Sequence, residues 1–156
     1  MAQGNLELVR GFFRAANARD FEALGELVDP EFEFAPHITG GHEGVEFRGP
    51  NGISKFDSLQ AETWEGMRVE LLEIGQHGDL VAVLGVIRAR GRASSLEVEE
   101  PTLWLCRCRA GRLMRVEAHS ARDPAKLNRL LGEIGLPRNA LSDYGDPGSA
   151  RPGEEA

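Results

Sequence analysis

The chain has 156 residues, 41% of them hydrophobic and 28% charged, a balance that one soluble domain of this length sustains without disulfide staples. Its net charge of −7 argues against a nucleic-acid partner, because gripping a phosphate backbone takes a basic excess. No apolar run is long enough to span a bilayer, and Met1–Asn5 lacks the basic and apolar regions of a signal peptide, so no membrane partner is expected and the expected setting is the cytoplasm.

Taken in chain order, Leu6, Val9, Phe12, Phe13 and Ala16 recur at helical spacing and form one apolar stripe. Asp20 is a suitable N-cap for a second short helix carrying Phe21, Leu24, Leu27 and Val28, which Asp29-Pro30 ends. Glu31-Phe32-Glu33-Phe34 alternates acid with aromatic, the pattern of a half-buried strand. Pro36 to Gly44 is rich in turn residues and reads as a loop carrying His37 and His42. A third helix is expected from about Pro50, with Ile53, Phe56, Leu59 or Gln60, and Trp64 at helical spacing.

The second half reads as four strands, 68–74, 80–92, 98–109 and 113–122, the last two joined by a tight Ala110-Gly111 hairpin. Arg88, Arg90 and Arg92 alternate along one strand, and Glu97, Glu99 and Glu100 open the next, so cross-strand charge pairing is expected to set their register. A last helix starts with Asp123 as N-cap and Pro124 at its first position. Leu127, Leu130, Leu131 and Ile134 give its apolar face, and Gly135 and Pro137 stop it. The expected domain is residues 1–138; residues 139–156, polar, rich in glycine and proline and net −3, are expected to be a disordered acidic tail. Helices segregated from a run of antiparallel strands define an α+β domain.

Cys106 and Cys108 share a strand face, too far apart for a relaxed disulfide, and no further ligands are spaced for zinc. No phosphate-binding glycine loop, nucleophile elbow or dinucleotide fingerprint occurs, so no metal and no cofactor are expected.

The segments Asn5–Phe13, Asn17–Leu24 and Leu27–Phe34, with Phe47–Ile53 before the third helix and Arg109–Leu113 at the last hairpin, resemble the nuclear-transport-factor-two-like superfamily, and within it the SnoaL-like (polyketide-cyclase-like) group. The resemblance implies a cone: a curved antiparallel sheet wrapped around the N-terminal helices, with an internal pocket and a C-terminal helix. It also implies a homodimer through the convex face of the sheet. Its members include isomerases, dehydratases, cyclases, epoxide hydrolases and domains without known catalysis, so the fold names no reaction.

Strand alternation nominates the pocket wall. Thr102, Trp104 and Cys106 share one face, and Phe13, Phe34, Phe56 and Trp64 are expected to look into the same interior, with His37 at its mouth. On the last strand, composition alone buries Met114, Val116 and Ala118 and leaves Arg115, Glu117 and His119 outside. The resemblance implies the reverse, with the positions of His119 and Ala121 facing the cavity. In that arrangement Met114, Val116 and Ala118 form the dimer contact. His119 becomes a general acid or base oriented by Glu117, although Ala121 removes the acid that some family enzymes use. Three functions remain open: cofactor-free proton-transfer chemistry (isomerisation, dehydration or cyclisation) on a small apolar substrate, non-catalytic binding of a small apolar ligand, and dimerisation or docking.

Overall fold

The fold is seen in a computed structural model, which describes residues 2–37 and 47–144. The elements in chain order are α1 (Ala2–Ala18), α2 (Phe21–Leu27), β1 (Val28–Ala35), β2 (Phe47–Arg48), α3 (Gly52–Gln60), β3 (Trp64–His77), β4 (Leu80–Gly91), β5 (Glu97–Arg109), β6 (Arg112–Ser120), α4 (Pro124–Glu133) and β7 (Ser142–Asp143), with a 3₁₀ turn over Arg138–Ala140. The strands make one curved sheet in the order β2-β1-β6-β5-β4-β3-β7. It is antiparallel except where β1 runs parallel to β6. This is the α+β architecture expected from the order of elements.

Alternation gives the sheet two apolar faces. On the inner face Val81, Val83, Trp104, Cys106 and Val116 pack with Val9, Phe12 and Phe13 of α1. On the outer face Ala82, Leu84, Leu103 and Leu105 pack with Leu127 and Leu131 of α4 and with Leu136. Helix α4 lies there because its sequence is well punctuated. Asp123 accepts hydrogen bonds from the Ala125 and Lys126 amides at 3.0 and 3.3 Å, and Gly135 closes it at φ +80°, a left-handed stop that suits glycine.

The bend of the sheet is made at bulges. Pairing shifts between Glu65 and Arg68 and between Leu71 and Glu73 on β3, and between Arg107 and Cys108 against β6; an extra residue in one strand raises local twist and curvature. The last of these shifts corrects the simple alternation expected for β6. Leu113, opposite Cys108, joins the inner core with no exposed surface, and Met114 is the residue skipped.

Three sequence expectations are revised. Trp64 does not extend the third helix: α3 ends at Gln60, and Trp64 opens β3 opposite Gly91. The second helix stops before Val28, and Pro30 falls in β1 where its ladder to β6 is interrupted between Val28 and Glu33, a place where a missing amide is tolerated. The disordered tail does not begin at 139. Residues 142–143 pair with β3, the Tyr144 amide donates to Leu72 O at 2.9 Å, and Tyr144 is 2% exposed. Arg10 lies 5.4 Å from the centroid of the Tyr144 ring and donates to its carbonyl oxygen at 3.1 and 3.0 Å. One aromatic anchor thus draws a polar segment onto the sheet edge; residues 145–156 lie outside the described residues.

The charge strips pair in part as expected. Arg88 stands opposite Glu99 and Arg90 opposite Glu97, and Arg88 also reaches Glu70 at 2.8 Å. Arg92 instead meets Glu65 at 3.3 Å, and Glu100 meets Arg122 at 2.7 Å.

Two stability outcomes follow. A Cβ on Gly85 would collide with the carbonyl oxygen of Glu70 across the ladder, so Gly85→Ala is expected to cost about 2 kcal/mol or more by overpacking against backbone, read as a lowered urea midpoint. Tyr144→Ala is expected to cost roughly 3 kcal/mol, the scale of losing a buried aromatic; a change below about 0.5 kcal/mol would mean that the segment after 138 contributes nothing to the fold.

Candidate functional site: a cavity between the helices and the inner face

Helix α1 does not fill the curve of the sheet. A cavity of about 90 Å³ remains between the helices and the inner face. Phe12, Phe13 and Ala16 of α1 form one wall, Ile53 and Phe56 of α3 another, and Val69, Ile87, Trp104 and Ala118 the sheet side. Aromatic contacts set these walls. Phe13 meets Trp104 edge-on at 5.3 Å, and Phe34 meets Phe56 edge-on at 4.9 Å, geometries that aromatic quadrupoles favour.

Polar groups gather at two places. On the β3 side, the Asn17 amide bonds both ways to the Val69 backbone, donating to its carbonyl and accepting from its N–H at 2.9 Å each. In effect Asn17 extends the ladder by one residue and clamps the end of α1 to the sheet edge. Arg19, at φ +54°, turns the chain out of α1 and reaches Asp57 at 3.3 Å and Met67 O at 2.5 Å. Arg68 completes this rim.

On the β1–β6 side stands His37, just past the end of β1. Its Nε2 is 2.9 Å from Oγ1 of Thr102, and the same hydroxyl donates to Glu100 O at 2.9 Å. Burial of the ring lowers the His37 pKa below the ordinary 6.5; Glu100 opposes this, while His119 and Arg122 add to it.

The structure therefore places Phe13, Phe34, His37, Phe56 and Trp104 on the cavity wall. Thr102 is buried behind His37. Cys106 is core beside Val116, its thiol pushed well above the ordinary range by burial. Trp64 stands apart from the cavity, near Gly91.

His119 and Glu117 do not face the cavity, which corrects the reading drawn from the resemblance. Ala118 is the cavity residue of β6, so its neighbours in sequence point outward. Glu117 stands opposite Leu105 and His119 opposite Leu103, both residues of the outer apolar cluster. Their nearest approach is 3.8 Å, too long for a hydrogen bond, and Glu117 also lies 3.5 Å from Arg115. Ala121 packs on the outer cluster. Val116 and Ala118, expected at a dimer contact, are committed to the inner side. His42 lies outside the described residues.

Sequence reasoning missed Asn17, Arg19, Asp57 and Ala118. The first two were visible only as a helix break, and Asp57 only as a polar helix residue. Ala118 was legible, because composition alone had put it inside.

These features define a class: an α+β protein whose curved, open sheet holds a helix and a small carbon-lined cavity. Residues 9–116 match the model of the SnoaL-like domain family, and the chain belongs to that family. Solved structures share the fold. One is an NTF2-like protein of unknown function from Burkholderia pseudomallei, 21% identical, TM-score 0.68, covering 81% of this chain and 96% of the other. Another, from Catenulispora acidiphila, has a ketosteroid-isomerase-like fold and was solved with trimethylamine; it is 20% identical, TM-score 0.64, covering 85% and 95%. A third is a putative SnoaL-like polyketide cyclase from Shewanella denitrificans, 16% identical, TM-score 0.62, covering 83% and 97%. No curated protein matches by sequence.

The lowered pKa of His37 has a sign that can be checked. The folded state holds the imidazole neutral, whereas the unfolded chain protonates near 6.5. This contribution to stability is therefore intact above 6.5 and lost as pH falls through the lower folded value. The stability difference between the native chain and His37→Asn is expected to be constant from pH 8 to 7 and to shift against the native chain below about 6.5; a difference flat down to pH 5 would show that the ring is not held neutral.

Proposed function

We propose that this protein binds a small, mostly apolar molecule in the cavity between α1, α3 and the inner face of the sheet. The observation that supports this reading best is the wall itself: Phe12, Phe13, Phe34, Phe56, Trp104 and Ile87 present carbon to an unfilled space, which shape complementarity would otherwise close. The size bounds the ligand. About 90 Å³ is below the ~300 Å³ at which drug-sized sites begin and nearer the ~150 Å³ apolar cavity that takes up benzene. The relative from Catenulispora acidiphila, solved with trimethylamine, is compatible with a ligand of a few heavy atoms.

A second reading, proton-transfer catalysis without a cofactor, is favoured by one observation: a half-buried imidazole, with its pKa lowered, forms part of the wall. A neutral imidazole can take a proton from an activated carbon of the ligand and return it to another, ending in its starting state. Isomerisation fits this best, because it needs one shuttle and no second acid. A homodimer through the outer face would use surface that α4 leaves open there, such as the ion-paired strip of Arg88, Arg90, Glu97 and Glu99 and the outward groups Glu33, Arg115 and Glu117.

Filling the cavity tests the principal reading. Ala118→Leu puts three more carbons into the space facing Trp104 and is expected to weaken toluene binding at least tenfold by calorimetry. The added volume should cost no more than about 1–3 kcal/mol of stability. Unchanged toluene affinity in a folded variant, or no toluene binding by the native chain, would overturn it.

A further inference from the structure

We infer that the cavity selects small apolar molecules that carry one hydrogen-bond donor, an O–H of the phenol or enol type, which His37 accepts through Nδ1. This rests on the ligand-binding reading above and adds the chemistry of the ligand.

The inference comes from counting protons along the relay behind the wall. Thr102 has one hydroxyl proton. Its Oγ1 is 2.9 Å from the carbonyl oxygen of Glu100, a group that only accepts, so the proton points there. Oγ1 can then only accept from His37, 2.9 Å away on the other side. Nε2 of His37 must therefore carry hydrogen. A neutral imidazole with hydrogen on Nε2 has a bare lone pair on Nδ1. Thr102 has no exposed surface, so water cannot take over either of its bonds, and the tautomer is fixed by buried structure.

No described group hydrogen-bonds Nδ1. Among the other polar groups of the wall, Asn17 is held by the Val69 backbone and Asp57 by Arg19, while Arg68 stands on the β3-side rim with Arg19. His37 thus supplies an acceptor at the β1–β6 end of a carbon-lined space. A ligand with only acceptors, such as a simple ketone, would set lone pair against lone pair there. A ligand with one donor gains a bond, in a setting where an unmet polar group is costly. Selection holds only while the ring is neutral, since protonation turns Nδ1 into a donor. The titratable and charged groups that act on the ring are Glu100 on β5, His119 on β6 and Arg122 just beyond it.

The test uses the full chain with phenol and toluene, which have nearly the same shape and differ by the donor. Phenol stays un-ionised over the pH range used, its class titrating near ~10. Long-range proton–nitrogen spectra of the free protein are expected to show His37 with hydrogen on Nε2. By calorimetry at pH 8, phenol is expected to bind at least as tightly as toluene. Its affinity should fall about tenfold toward pH 5, the scale of one hydrogen bond, while that of toluene moves less than twofold. Thr102→Val, which removes the acceptor behind the ring, is expected to abolish the preference and leave toluene binding intact. His37→Phe serves if the valine variant does not fold. Hydrogen on Nδ1, or phenol affinity that ignores both pH and the substitution while toluene still binds, would overturn the inference and leave the cavity reading standing. Failure of both probes in folded protein would overturn the cavity reading itself.

Discussion

The bend of the sheet is the constraint from which the other features follow. A flat sheet facing α1 would close on it side chain by side chain and leave no interior space. Here the irregularities on β3 swing the edge of the sheet around the helix, and a residue without a side chain at Gly85 lets the Glu70 carbonyl approach. One helix then has more wall than it can cover. Phe12 and Phe13 reach Phe32 and Trp104, which holds the helix against one part of the curve, while Asn17 pins its end to the sheet edge. The space between these fixed points is the cavity. It persists because each wall is anchored by contacts that do not depend on a ligand.

The two faces of β6 show how the same bend divides chemistry. Inward, Val116 and Ala118 meet core and cavity. Outward, Arg115 joins Glu33 at 2.7 Å and lies beside Glu117, with His119 next in line. Such half-exposed ion pairs contribute little to stability, of order 0–1 kcal/mol each, but they fix which way the strand faces. They also leave the histidine of this strand on the outer side of the sheet, its side chain 39% exposed. The histidine that matters for the cavity arrives from another element, beyond β1, and is half-buried, held to the buried Thr102. Two imidazoles close enough to affect one another thus stand in different surroundings.

Much of the fold could be read from the sequence, because α1, β5, the Ala110-Gly111 hairpin and α4 each combine a clear period with a clear stop. Ala110 and Gly111, at φ +53° and +80°, are where a two-residue hairpin of that sequence should be. What could not be read were events that break a period. The shift that skips Met114 and sends Leu113 inward depends on pairing with Cys108, which no single strand reports. Tyr144 was hidden in a polar segment because one buried aromatic hardly alters the local composition. For the cavity, the five wall residues correctly placed sit on strong helix or strand patterns or, for His37, next to one. Asn17 and Asp57 act through tertiary contacts with Val69 and Arg19 and leave no local trace. The direction of Glu117 and His119 is instructive: plain alternation, burying the apolar side, gave the orientation found, whereas the resemblance implied the opposite.

That contrast bears on how this member of the family can work. An acid at the position of Ala121 would be far from the cavity here, since Ala121 packs with Leu103 and Leu127 on the outer side. Losing a carboxylate there deprives the interior of nothing. The polar capacity of the interior at its β1–β6 end depends instead on a backbone carbonyl, a threonine and a histidine in series. Such a chain carries no net charge, so it can lie beside an apolar wall without the desolvation cost that a buried carboxylate would bring. It gives direction rather than charge: the carbonyl of Glu100 decides where the Thr102 proton lies, and through it which nitrogen of His37 is free. A site built this way distinguishes donors from acceptors among molecules of one shape, and the small space set by the bent sheet limits how large those molecules can be.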